Sequence, residues 1–482
     1  MMTYLGQYPE RLHMSWNEFM NLGRMYPDNK GEFFSMSHFA ICTSQGINGV
    51  SRLHGEVSKK MFKNLWPGYT VEESPIGYVT NGVHYGTWTA KIWQQLHKET
   101  FGEEFLSDMS NGAYWNKIFN VPDEKIWAIR QTQREKLINY TKESLQKSWT
   151  EKFEDPKKMI RINQTLNKDT LTIGFARRFA TYKRAYLLFS NLERLEKIVN
   201  NPERPVQFLF AGKAHPQDKP GQDIIKEIVR ISKLPEFLGK IVFLENYDMN
   251  LAKQLVQGVD IWMNTPTRPL EASGTSGMKA VMNGAMNFSV LDGWWCEGYR
   301  QGAGWALPEK RTYQNQDLQN KLDAEMIYSM FEGEIVPLFY NHDADGIPHD
   351  WIQYMKKCIA EIAPAFTTKR MIDDYKERYY SKLAIRNTLL KNDNYKVVDE
   401  IVEWKQRVSS VWDSINIVSV EKNMTTGFKL GEKYSGIVKV DLQGLKPEDI
   451  NFEFVLSEQS EAEEREIVEC HPFIFSAMEG NV

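Results

Sequence analysis

Between Glu271 and Lys279 the chain reads Glu-Ala-Ser-Gly-Thr-Ser-Gly-Met-Lys, putting a carboxylate, hydroxyls, two glycines and a lysine directly before the apolar stretch 280–286. The Gly274–Gly277 segment suits a loop entering a helix, where unpaired backbone N–H groups and the positive helix end can hold a phosphate. Lys279 then sits one turn inside that helix. From there it can form an imine with a cofactor aldehyde whose phosphate rests on the loop. A turn capping an ordinary helix, with Lys279 a surface lysine, fits the same nine residues.

A second cluster is Arg177-Arg-Phe-Ala-Thr-Tyr-Lys-Arg184. Arg178 and Lys183, five positions apart, bridge a loop and a first helical turn, so both can reach one anion. Arg177 and Arg184 add charge, and such crowding is costly without an anion or water. Arg offers a planar fork and Lys a mobile point charge, a pairing suited to phosphate. A solvated basic helix start is the alternative, although positive charge there opposes the helix dipole. Gly212-Lys213 reads as another anion contact or a turn. Tyr247 can hydrogen-bond a phosphate or serve as a core tyrosine, and Asn81 can bind a hydroxyl. His54, His84 and His215 read by default as packed or structural histidines.

These residues need elements to hold them. Across residues 165–345 short apolar runs alternate with helical segments. Strands are predicted at 171–176, 206–211, 241–245, 260–264 and 287–291, with helices at 183–199, 221–232, 249–257 and 277–285. That rhythm indicates a parallel, doubly wound sheet. Ligands of such sheets bind beyond the carboxyl ends of the strands, where these clusters fall.

Residues 1–164 read as mostly helical. A capping box stands at Ser15–Glu18, helical spacing over 33–62 breaks near Gly46 and Gly49, a short strand covers 76–79, and a long amphipathic helix covers 124–149. Helices return over 346–412, longest at 351–366 and 371–390. From 413 to 482 four short strands (415–420, 436–442, 451–456 and 467–474), with an acidic turn at 458–466, suggest a small β-sandwich.

With 482 residues, two or three domains are expected. A net charge of −4 argues against a dedicated nucleic-acid binder. Four cysteines without a C-x-x-C pair fit a reducing compartment and neither a disulfide framework nor structural zinc; no metal is expected. No basic-then-apolar leader is visible, and no apolar run approaches the ~20 residues that span a bilayer. The expectation is a cytoplasmic protein with no membrane partner.

Glu271 through Lys279, continued by Asn283-Gly-Ala285, resembles the cofactor segment of the glycogen, starch and maltodextrin phosphorylases. Arg177–Arg184, Gly212–Ala214, Phe243–Tyr247, Asn48–His54, and Thr80–Gly82 with Trp88 follow in that family's order. The likeness spans residues ~30–345 and leans toward the shorter bacterial and archaeal members. It implies a GT-B-type, Rossmann-like fold of two domains and retaining phosphorolysis of terminal α-1,4-glucosidic bonds, with α-glucan and inorganic phosphate as partners. It further implies pyridoxal 5'-phosphate bound through Lys279, with Thr275, Gly277 and Arg177 on its phosphate and Tyr247 and Trp88 nearby. Arg178 and Lys183 would bind the substrate phosphate. Glu271, Ser273 and Gly274 would contact the transferred glucose, with Asn81 on its 6-hydroxyl.

The resemblance also implies an incomplete N-terminal domain, because the family's chains extend much further on that side. The expectation is then a homo-oligomer, or a chain needing a complementary N-terminal chain, with an inactive remnant as one outcome. A sugar-nucleotide-dependent glycogen or starch synthase is the alternative of the same architecture. Many such enzymes carry a second glutamate eight residues after the first; here that position is Lys279.

Overall fold

The computed structural model describes all residues except 1, 28, 152–154, 308–312, 314, 423–434, 460–464, 479, 481 and 482. Part of the acidic turn at 458–466 therefore lies outside the described residues. The chain forms two compact units. One comprises Gly46–Met61 with Pro75–Lys376, the other Met1–Gln45, Phe62–Ser74 and Glu377–Val482.

A six-stranded parallel sheet organises the first unit. Its strands are β3 (Leu171–Ala176), β4 (Val206–Ala211), β5 (Ile241–Leu244), β6 (Ile261–Asn264), β7 (Met286–Val290) and β8 (Gly304–Leu307), in the spatial order β5-β4-β3-β6-β7-β8. The first two occupy their predicted residues, β5 and β6 are each one residue shorter at an end, and β7 lies one residue earlier than predicted. The sixth, β8, escaped prediction: four residues opening on a glycine carry little periodic signal. Every residue of β3, β4, β6, β7 and β8 is buried, as expected for a sheet covered on both faces.

Two of the helices between strands start on aspartate caps. Asp218 Oδ1 accepts from Gly221 N at 3.0 Å, and Asp248 Oδ1 from Leu251 N at 2.8 Å. A long helix, Asp123–Glu151, is anchored by buried guanidiniums. Arg134 Nη1 lies 2.7 Å and Arg130 Nε 3.5 Å from Asp260 Oδ1, just before β6. Two short parallel strands, β1 (Ile47–Gly49) and β2 (Ile76–Tyr78), pair in the same unit. The helical reading of 33–62 missed β1; the glycines that break the pattern mark the strand.

One predicted helix is corrected. Residues 183–199 hold two 3-10 turns, Thr181–Lys183 and Ala185–Phe189, with Arg184 left-handed between them, before a helix over Leu192–Val199. Lys183 thus lies in a tight turn and not in a first α-helical turn.

In the other unit, Ser15 and Glu18 form the predicted capping box: Glu18 N donates to Ser15 Oγ at 3.2 Å and Ser15 N to Glu18 Oε2 at 2.7 Å. The four late strands are present as two antiparallel pairs, β9 (Asn416–Lys422) with β10 (Gly436–Asp441) and β11 (Glu453–Gln459) with β12 (Arg465–Pro472). Arg407 Nη2 reaches Asp449 Oδ1 at 2.6 Å, and Trp404 Nε1 donates to Asp449 O at 3.1 Å, tying the helix Lys396–Val411 to the turn before β11.

Candidate active site

In the sheet order, β3 and β6 are neighbours although two strands, β4 and β5, separate them in sequence. This is the switch point at which open α/β sheets bind ligands. The loop after β3 carries Arg177 and Lys183, and the loop after β6 carries Glu271. The two meet. Glu271 Oε2 lies 3.3 Å from Arg177 Nη1 and in shorter contact with Lys183 Nζ. All three are only 8% exposed. Burial depresses the Arg177 guanidinium, with Glu271 opposing that shift. Lys183 Nζ also stands 4.6 Å above the Tyr182 ring. Tyr247 lies near enough for Arg177 to oppose the upward push that burial gives its phenol.

Two predicted cations stand outside the Glu271 ion pairs. Arg178 is exposed and makes no ion pair or hydrogen bond among the described residues. Arg184 is buried and committed to structure, with Nη1 2.6 Å from Asp323 Oδ2 and further donors on Thr265 O and Pro266 O. Its left-handed backbone turns it away from the loop that holds Lys183. Lys213 is exposed after a close turn at Gly212. His54 accepts from Val50 N at 3.1 Å, His84 pairs with Thr87 Oγ1 at 2.8 Å and His215 accepts from Gln217 N at 3.1 Å. All three serve local turns.

The glycine-rich segment enters its helix two residues earlier than predicted. Gly274, at φ +87°, is the left-handed cap of the helix Thr275–Val281. Gly277 lies against the sheet, where a Cβ would meet Asn287 Oδ1 at 2.5 Å and Trp294 Cζ2 at 2.8 Å. Ser276 Oγ accepts from Trp262 Nε1 at 3.0 Å. The preceding loop is fixed from two sides. Trp294 N donates to Ser273 O at 2.8 Å, and Glu271 N to Asp292 Oδ2 at 3.0 Å. Asn81 Nδ2 reaches Ser273 Oγ at 3.2 Å, so the predicted hydroxyl-binding residues adjoin one another. Ser51 Oγ donates to Ala272 O at 2.8 Å, while Glu297 accepts from Arg52 N and Thr80 Oγ1 at 2.9 and 2.8 Å. These contacts fasten the segments around β1 and β2 to the site.

Lys279 is half-buried, with Nζ 3.8 Å from the centre of the Trp88 ring. Burial lowers its pKa, and no carboxylate pairs with it among the described residues. Burial thus disfavours the protonated form of this amine. Asn283 holds the arrangement: it accepts from Ala90 N at 2.7 Å and donates to Trp88 O and Lys279 O at 3.0 and 2.9 Å. Behind it, Arg130 donates to Asn283 O at 3.3 Å and to Gln257 O at 2.9 Å, and Gln257 donates to Trp88 O at 3.2 Å.

Sequence reasoning missed Tyr182, Asp292, Glu297 and the Arg130–Asn283 pair. Asp292 had a usable signal: it follows β7, and strand ends were the rule that found the others. Burial pushes its carboxyl up to about 6, against the two backbone N–H groups it accepts. Among the described residues, no group of His, Cys, Asp and Glu could hold a metal ion, and no helix is long and apolar enough to cross a membrane.

Sheet order and site together define a doubly wound, mixed α/β protein, consistent with the glycosyltransferase-like kind, with two buried cations paired to one carboxylate at its switch point. Residues 7–300 match the carbohydrate phosphorylase family and residues 412–481 the glycogen phosphorylase C-terminal domain. The chain belongs to the carbohydrate phosphorylase family. It is 39% identical over 448 residues to maltodextrin phosphorylase of Thermococcus litoralis (92% of this chain, 51% of that protein). It is 44% identical over 357 residues to glycogen phosphorylase of Aquifex aeolicus (74% and 51%), and 36% identical over 427 residues to that of Mycobacterium bovis (88% and 49%). The chain spans about half the length of these curated relatives.

Proposed function

We propose that this chain provides the cofactor and phosphate side of an α-glucan phosphorylase, releasing glucose 1-phosphate from terminal α-1,4 bonds of maltodextrin, glycogen or starch with retention. The observation that carries this reading is the half-buried amine of Lys279, unpaired with any described carboxylate, on the helix that follows the Glu271 loop of an anion site.

The residues present fit pyridoxal 5'-phosphate. Lys279 is an amine whose protonated form burial disfavours, Trp88 offers a flat apolar face beside it, and Arg177 keeps a buried Nε without a hydrogen-bond partner. Lys279 would anchor the group, Thr275, Gly277 and Arg177 would hold its phosphate, and Tyr247 would stand alongside. Bound there, the cofactor supplies a phosphate group that passes a proton to and from the substrate phosphate.

The chain's own residues do the rest. Lys183 and Arg178 hold the attacking phosphate, whose negative charge supports an oxocarbenium-like carbon on the sugar. Glu271, Ser273, Gly274 and Asn81 orient the glucose hydroxyls. Trp88 keeps water from Lys279 Nζ, and Lys279 acts as anchor, not nucleophile.

The same reading makes residues 165–345 the Rossmann-like domain of a two-domain GT-B enzyme and 1–164 part of its glucan-side domain. Residues 346–412 are then crossover helices and 413–482 a β-sandwich, in a cytoplasmic protein acting as a homo-oligomer or with a complementary chain.

Intact mass after borohydride reduction with pyridoxal 5'-phosphate tests the assignment. One stable adduct that disappears in Lys279→Ala is expected, and an adduct surviving that substitution overturns it. Phosphate-dependent glucose 1-phosphate release from maltoheptaose is the accompanying assay. It is run on the chain alone and with the N-terminal half of the Thermococcus litoralis relative. Absence of release in both, from adduct-bearing protein, refutes phosphorolysis.

A further inference from the structure

Glu271 stands in two places at once. Its sequence neighbours Ser273 and Gly274, together with Asn81, form the hydroxyl-binding group, and Asn81 and Ser273 are in contact. Its carboxylate, however, faces Lys183 and Arg177. These three buried groups carry two positive charges and one negative. Arg177 Nε, equally buried, has no hydrogen-bond partner. A buried positive excess with an unused N–H is costly and favours a second anion, the cofactor's ester on Arg177, which leaves Lys183 and Glu271 as a neutral pair for inorganic phosphate to meet. Once a phosphate arrives, negative charge exceeds positive, and the carboxylate is the group that can leave. Its backbone need not move: Glu271 N stays on Asp292 Oδ2, itself fixed by Gly293 N at 2.8 Å from Oδ1. Side-chain rotation about that fixed point keeps the carboxylate beside Ser273.

We propose that Glu271 is a resident counter-ion which phosphate displaces from Lys183, and that the displaced carboxylate is the one that accepts the sugar hydroxyls. The proposal rests on the phosphate and glucose assignments made above. Phosphate and Glu271 compete for Lys183, while glucose and Lys183 compete for Glu271. Each ligand therefore releases the group the other needs. Phosphate and glucose reinforce one another, and linkage makes the factor the same in both directions.

Titration calorimetry on the chain loaded with pyridoxal 5'-phosphate tests this. Loading puts the cofactor's own ester on Arg177, so added inorganic phosphate reports on Lys183. In the unaltered chain, saturating glucose should tighten phosphate about tenfold, and saturating phosphate should tighten glucose by the same factor. Glu271→Gln keeps the shape and removes the charge. It should bind phosphate about tenfold more tightly without glucose, with the mutual effect reduced to about one. The tighter binding alone would follow from simple electrostatics, so the lost coupling is the deciding readout. Phosphate binding without coupling in the unaltered chain, or coupling that persists in Glu271→Gln, overturns the exchange alone. Absence of phosphate binding in both proteins overturns the phosphate site as well. The unaltered chain decides the question even where the variant does not fold.

Discussion

Replacing Asp260 by Asn removes one negative charge from the most deeply buried ionic cluster described. Arg130, Arg134 and Asp260 are each at most 1% exposed. Besides its contacts to both arginines, Asp260 Oδ2 accepts from Thr172 N at 2.9 Å. Arg134 is also stacked near Trp127 and Phe339, at 5.1 and 5.3 Å from the ring centres, so its charge has no route to water. Burial already lowers Arg130 to about 10, with Asp260 opposing and Arg134 adding to the fall. From an ordinary 12.5, that is about 3 kcal/mol of residual penalty even with the carboxylate present. Asn leaves two guanidiniums facing each other uncompensated, a loss of about 3–5 kcal/mol. Against a domain stability of roughly 5–15 kcal/mol this is a large fraction. Urea titration followed by tryptophan fluorescence should show that loss. The double variant Asp260→Asn with Arg134→Met should be more stable than Asp260→Asn alone, since one stranded charge is gone. Because Arg130 also holds Asn283 and Gln257, the single variant should take up less borohydride-fixed cofactor at Lys279. A single variant within about 1 kcal/mol of the unaltered chain, or a double variant that loses further stability, would refute the reasoning.

Two further substitutions test the site's scaffold. Gly277→Ala drives a methyl into Asn287 Oδ1 and Trp294 and should cost about 1–3 kcal/mol. Gly112→Ala, which meets nothing within 4 Å, should leave the melting temperature unchanged or raise it. Asp292, raised in the fold from 3.8 to about 6, contributes stability that is present below pH 3.8 and lost as pH rises through about 6. Between pH 4 and 7, Asp292→Asn should therefore gain about 3 kcal/mol relative to the unaltered chain in urea titrations. Parallel pH profiles of the two proteins would contradict the assigned cause.

The strand–helix alternation was legible because each predicted strand is a short, mostly apolar run and each loop carries polar punctuation. The site's loops were legible for the same reason, since clusters of unlike charge and glycine stand out after such runs. What sequence could not supply was direction. Arg177, Arg178 and Arg184 look alike as letters. Only the left-handed turn at Arg184 and the partner Asp323 send one into the core, while Arg178 stays in solvent and Arg177 meets Glu271. Non-local partners were equally invisible. Glu271 answers to Asp292, and Asn283 to Trp88 and Arg130, through contacts that no local periodicity encodes. The strands β1 and β8, three and four residues long, are too short for an alternating pattern to declare itself.

The indole over Lys279 arrives from a segment nearly two hundred positions earlier, where the Trp88 carbonyl is clamped by Asn283 and Gln257. Until those distant stretches dock, the amine is an ordinary solvated lysine that stays protonated. On the proposed cofactor assignment, aldehyde capture at Lys279 would wait for the end of folding, and the captured aldehyde's absorbance would report that the tertiary closure has taken place.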